Sequence, residues 1–213
     1  MLRSRMLRAA GNTGGGIEFL GANSASGAAS LNISSLGVQQ GDLVVFVASD
    51  DATRFVFQET GWTGVNSSFP NTDWTSSIRH IVCYKVLPAS PDFILNVNAT
   101  IDFIGAIAFR NAQWASTTNE TSGTTSSRFA PLPSLSISTS GSVAIYLSML
   151  DDDDSLIDVT PTNYNLATSN GRTGGSGAIF YRLGLSSGTE SPADVQWSSN
   201  DQYLNIGLVL EPV

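Results

Sequence analysis

The feature that most constrains this chain is a strand-and-turn pattern that it carries twice. Leu-Gly-Val-Gln-Gln-Gly-Asp-Leu-Val-Val-Phe-Val-Ala-Ser-Asp-Asp at 36–51 matches Ile-Ser-Thr-Ser-Gly-Ser-Val-Ala-Ile-Tyr-Leu-Ser-Met-Leu-Asp-Asp at 137–152 in pattern, and aligning Gly41 with Gly141 gives an offset of 100. Trp62 then falls opposite Tyr164, at an offset of 102. Ile-Val-Cys-Tyr-Lys at 81–85 falls opposite Ala-Ile-Phe-Tyr-Arg at 178–182, an offset of 97, and the apolar runs 103–109 and 204–210 follow at 101. Four pairings in one order and at a nearly constant offset read as a tandem repeat, with halves of approximately 17–115 and 128–213.

The repeated segments are strand-like. Leu43-Val44-Val45-Phe46-Val47 is apolar and rich in β-branched residues, and too short for a typical helix. Residues 78–86, 93–97, 103–109, 135–137, 143–150, 178–185, 195–197 and 203–210 read the same way, separated by Pro, Asn, Asp and Gly. Charged residues make up only 13%, so Ser, Thr, Asn and Gly must supply most of the polar surface, a composition that favours strands and turns over exposed helices. The polar stretch 116–127, STTNETSGTTSS, has nothing to bury and reads as an exposed connector between the halves.

Four or five strands per half are too few to cover both faces of one sheet, so a half-buried sheet must pack against another. The expectation is an all-β fold: an antiparallel, jelly-roll-like β-sandwich over 17–213 in which the halves pack face to face. Two small independent sandwiches are the alternative.

Residues 1–16 stand apart. Arg3, Arg5 and Arg8 precede the glycine-rich run from Gly11 to Gly16, while the rest of the chain carries 7 basic against 18 acidic residues. This flexible N-terminal segment reads either as a frayed end or as a docking arm, with Leu2, Met6 and Leu7 as its apolar contacts beside the three arginines. Its basic start has no apolar stretch of signal-peptide length behind it, and no run reaches the ~20 apolar residues of a membrane-spanning helix. Synthesis in a host cytoplasm and no membrane partner are therefore expected. The net charge of −8 argues against nucleic acid, whose phosphates call for clustered Lys and Arg.

Chemistry-bearing residues are sparse. The single His80 and single Cys83 are three apart on one strand, hence on opposite faces, and no internal disulfide exists. One His and one Cys do not make the usual zinc site. Asp151, Asp152, Asp153 and Asp154 crowd one turn and form the weak calcium candidate, read otherwise as a solvated acidic loop; no other cofactor is expected. Glu18, Glu59, Glu120, Glu190 and Glu211 are scattered and suggest no glycosidase pair. The glycine-rich segment 171–177 lacks the lysine of a phosphate loop and reads as a hairpin tip. Trp62 reads as core. Trp74, in the polar loop after Phe69, is the candidate for ligand contact.

The segment GIEFLGANSASGAASLNISSLGVQQGDLVVFVASDD, followed by GWTGV, IRHIVCYKVL and FIGAIAFRN, resembles a domain of tail and fibre-like virion proteins of tailed bacteriophages. The resemblance covers roughly 17–111, with an echo in 135–213. It implies a β-sandwich module present in several copies on a virion, contacting other copies of itself and capsid, portal or tail proteins. The expected function is a non-enzymatic structural component with no catalytic residue. The alternative is a lectin-like module that binds a host glycan, with or without calcium.

Overall fold

The computed structural model describes residues 16–65, 67–75, 77–151, 157–172 and 174–213. The first eight strands are β1 (Glu18–Ala25), β2 (Ala28–Asn32), β3 (Leu43–Asp50), β4 (Thr63–Gly64), β5 (Asp73–Thr75), β6 (Ile78–Val86), β7 (Ile94–Ile101) and β8 (Phe103–Arg110). The second eight are β9 (Ala112–Ala130), β10 (Leu135–Ile137), β11 (Ser142–Asp151), β12 (Ile157–Val159), β13 (Asn165–Arg172), β14 (Gly175–Leu185), β15 (Gly188–Glu190) and β16 (Val195–Pro212). Among the described residues the one helical element is a 3-10 turn, Ser34–Leu36. No helix there is long and apolar enough to cross a membrane.

Two six-stranded antiparallel sheets form the body. In the first the order is β1-β8-β3-β6-β4, with β5 also on β6; in the second it is β12-β16-β11-β14-β13, with β9 also on β16. Two ribbons complete the fold, β2 with β7 and β10 with β15. The chain passes from one sheet to the other at Asn111, whose positive φ of 57° makes the turn between β8 and β9.

Strand periodicity then builds three apolar layers. Every residue of β3 is buried. Val44, Phe46 and Ala48 face the β2–β7 ribbon, meeting Leu31, Ile33, Leu95 and Val97. Leu43, Val45 and Val47 face the other way, into a central layer shared with Val143, Ile145, Leu147 and Met149 of β11. The opposite face of β11, with Ala144, Tyr146 and Leu150, packs under Leu135, Ile137 and Val195. The architecture is thus an all-β sandwich of two large sheets, each capped on its outer face by its own ribbon. That is why the central strands read as unbroken apolar runs rather than alternating ones. Each fully buried Val, Leu, Ile or Phe in such a layer contributes roughly 1.5–3 kcal/mol.

The 116–127 stretch is not a connector. It is the middle of β9, a 19-residue strand paired with β16 from Ala112↔Pro212 to Ala130↔Val195. Among its described side chains, Ala112 and Trp114 are anchored in the central layer and Ala115 and Ala130 in the outer one. Between them an edge strand needs β-compatible residues and main-chain partners, not apolar ones, and Thr and Ser suffice.

The Gly-Asp-Leu motif at 41–43 also has a physical role. Gly41 adopts φ 88° at the turn. Asp42, almost fully buried, accepts the Gln39 N–H at 2.8 Å and two hydrogen bonds from Arg110, each 2.9 Å. The turn before β3 is thereby locked to the end of β8.

Candidate functional site

The registers of the two sheets coincide, so positions can be matched from one to the other. Leu43 stands opposite Phe109 and Val143 opposite Leu210; Val45 stands opposite Tyr84 and Ile145 opposite Tyr181. Phe19 lies opposite Phe109 as Trp114 lies opposite Leu210. Aromatic contacts follow the match. Phe19 stacks on Tyr181 across the central layer, with centroids 4.2 Å apart, and Trp114 stacks on Tyr84 at 4.4 Å. Within each sheet, Trp62 meets Phe46 edge-on and Tyr164 meets Tyr146 edge-on. Asn23 and Asn119, also matched, each cap the following residue's N–H and donate to a carbonyl outside the sheet, that of Asn32 and of Ser134.

The two edges of the central layer differ against this matched background. Where β1 meets β13, Ser24 and Thr168 share a hydrogen bond of 2.6 Å. The Phe103 ring lies over Gly105 and Gly177; a Cβ on Gly177 would come within 2.3 Å of it. That edge is closed. At the matched edge Glu120 replaces Ser24, Val65 replaces Thr168, His80 replaces Gly177, Ile206 replaces Gly105 and Leu204 replaces Phe103. A cleft of about 550 Å³ opens there, with Val65, Val82 and Ile206 as its apolar wall and Ser67, Asp73, Thr75, His80, Thr118, Asn119 and Glu120 as its polar one.

The cleft is built from both sheets: β5 and β6 supply Asp73, Thr75 and His80, β9 supplies Glu120. Glu120 remains in contact with solvent, yet partial burial pushes its carboxyl above the ordinary range; the Thr75 hydroxyl pulls it down and the Asp73 charge pushes it up again. His80 is 2% exposed, and burial lowers its pKa against the opposing influence of Asp73 and the Ile78 carbonyl, so the imidazole is neutral at pH 7. Its Nδ1 is buried without a hydrogen-bond partner. No Lys or Arg is among the residues that line the cleft.

A second acidic feature lies where β3 ends. Asp50, Asp51 and Asp102 bring carboxylate oxygens within 4.8 Å of one another. Main-chain donors hold them: Ala52 N–H and Thr53 N–H bond to Asp50, and Asp51 N–H to Asp102 at 3.3 Å. Of the calcium candidates read from the sequence, Asp151 closes β11, while Asp152, Asp153 and Asp154 lie outside the described residues. Leu2, Arg3, Arg5, Met6, Leu7 and Arg8 lie outside them too. Trp74 sits in β5 opposite Arg79, between Asp73 and Thr75; its side chain is not among the described ones. Cys83 is buried in the first sheet's outer layer, on the face away from His80, and burial raises its thiol pKa well above the ordinary value. Of the glycine-rich segment, Gly171 and Arg172 at the end of β13 pair with Ser176 and Gly175 at the start of β14.

Sequence reasoning did not bring Asp73, His80 and Glu120 together, because they come from three strands of two sheets and no spacing along the chain relates them. The carrier of that signal was the replacement of small residues, Ser24 and Gly177, by titratable ones, Glu120 and His80, at matched positions. The chain matches no protein-family model, and comparison with curated proteins and with solved structures found no match.

Proposed function

We propose that this chain is a non-enzymatic structural component of a bacteriophage virion, an internally duplicated β-module that associates with other copies of itself and docks through residues 1–16. The observation that carries this reading is β9. It pairs with β16 on one side only, leaving a 19-residue strand at the sheet edge, with exposed Gln113, Ser122 and Phe129 along it. Soluble monomers blunt such edges with lysine, proline or bulges, since an open edge is a template for further pairing. β9 contains neither lysine nor proline; its register against β16 shifts between Trp114 and Thr118 and between Gly123 and Phe129, and the stretch 118–123 between those bulges pairs without a break and is the run left as a template. Edge-to-edge pairing between copies uses main-chain hydrogen bonds alone and suits a Ser/Thr-rich strand.

The matched registers and matched aromatic contacts support duplication as the origin of the two sheets. The residual charge asymmetry, three arginines in the arm against an acidic body, supports docking of the arm on an acidic partner such as another virion protein.

Sedimentation of the full chain tests the reading, alongside mass spectrometry of purified particles. Copies sediment as an oligomer, Ser122→Lys with Phe129→Lys shifts them to monomer, and deletion of 1–16 abolishes incorporation into particles while leaving the oligomer intact. A monomeric wild type, or particles that lack the chain, would overturn it.

A further inference from the structure

We infer that the cleft between β5, β6 and β9 is a binding site for a small hydroxylated organic cation, a primary ammonium compound of the amino-sugar class. This inference is independent of the virion reading and concerns a different part of the molecule.

The first ground is the broken match. The two edges of the central layer agree in register, in aromatic stacking and in the Asn23 and Asn119 hydrogen bonds, and differ where Ser24, Thr168, Gly177 and Phe103 close one edge. Their counterparts Glu120, Val65, His80 and Leu204 leave about 550 Å³ open, within the range of small-molecule sites. The polar replacements work against stability: a carboxyl is partly desolvated beside a second acid, and a neutral histidine is buried with an unpaired Nδ1. Groups placed at a cost to the fold and gathered around one cavity mark a ligand site.

The second ground is the chemistry of the lining. Two carboxylates with no basic side chain among the lining residues call for a positive ligand. The volume is far more than a single ion fills. The described residues that bring three metal-ligating donors within 4.8 Å are Asp50, Asp51 and Asp102, not this set. The Ser67, Thr75 and Thr118 hydroxyls and the Asn119 amide provide neutral hydrogen-bonding groups, and Val65, Val82 and Ile206 provide an apolar wall. A ligand that carries an ammonium, several hydroxyls and one apolar face satisfies all three.

The histidine supplies the readout, because the chain has only one. D-glucosamine is titrated into the full chain at a pH where its amine is protonated, with glucose at equal ionic strength as the neutral control, and the imidazole C–H protons of His80 are followed by NMR. Saturable shifts with glucosamine and none with glucose are expected. Glu120→Gln and Asp73→Asn should each weaken binding by about tenfold or more, while Glu211→Gln on the far side should not. A cooperative thermal melt of each variant, at or above the wild-type temperature, shows that the fold is retained. Equal shifts with glucose, an imidazole that does not respond to glucosamine, variants that bind like the wild type, or a stoichiometric response to Zn²⁺ in place of the amine would each overturn the assignment.

Discussion

At one edge of the central layer two hydroxyls meet, and at the matched edge a carboxylate faces a valine. Around Ser24 and Thr168 the sheets are drawn together by a 2.6 Å hydrogen bond and a phenylalanine ring seated on two glycines. Around Glu120 the same backbone frame holds bulkier or charged side chains that cannot fill the space as a ring does. Two sheets of one strand order therefore share a core and part company at their rims. The difference teaches that register and packing at the centre do not dictate what the edges carry. The centre is fixed by apolar side chains that must interdigitate, and the edges are free to exchange closure for chemistry.

The largest expected effect comes from unseating the ring. Phe103→Ala leaves Gly105 and Gly177 facing a void and should cost about 3–5 kcal/mol in urea unfolding. Leu204→Ala, at the matched position, should sit at the low end of about 2–5 kcal/mol, since solvent from the cleft can enter the vacated space. Equal losses at the two positions would erase the distinction between the edges. Next come the aromatic stacks. Phe19→Leu and Trp114→Leu should each lose about 0.5–1.5 kcal/mol beyond the change in buried area, and by similar amounts, because both bridge the same layer. A smaller effect follows from Thr168→Val, which removes the Ser24 hydrogen bond for about 1 kcal/mol.

The smallest effect is also the most diagnostic of the open edge. Glu120 has its folded pKa raised, so the fold prefers the protonated acid. Its contribution is fully present below the ordinary carboxylate value and is lost as pH rises through the raised value. His80 acts with the opposite sign: its lowered pKa means that stability falls as pH drops from the ordinary imidazole value through the folded one. Melting temperature measured against pH should thus lose its decline on the alkaline side of the carboxylate range in Glu120→Gln and keep its acid-side fall.

The strands of the core were readable because burial on both faces leaves an unbroken apolar run, as in residues 43–48, and because Trp62 follows a turn glycine into a ring cluster with Phe46 and Phe57. The face-to-face sheets followed from too few strands per half. The segments 93–97 and 135–137 were readable as strands, but their pairing into two-stranded ribbons was not. Leu135–Ile137 and Gly188–Glu190 are only three residues each, and nothing in the sequence assigns either to an outer layer. Strand β9 escaped notice for the opposite reason: an edge strand carries no apolar period where its outward face meets water. The cleft was hidden because Asp73, His80 and Glu120 are unrelated in sequence, and only the pairing of β5 with β6 and the facing of β9 unite them.

Contact between the two sheets is most directly tested by aromatic NOEs in the folded chain. The structure predicts cross-peaks between the ring protons of Phe19 and Tyr181 and between those of Tyr84 and Trp114, both spanning the central layer. Cross-peaks confined to neighbours within one sheet, such as Phe19 with Phe109, and none from one sheet to the other would contradict the face-to-face architecture.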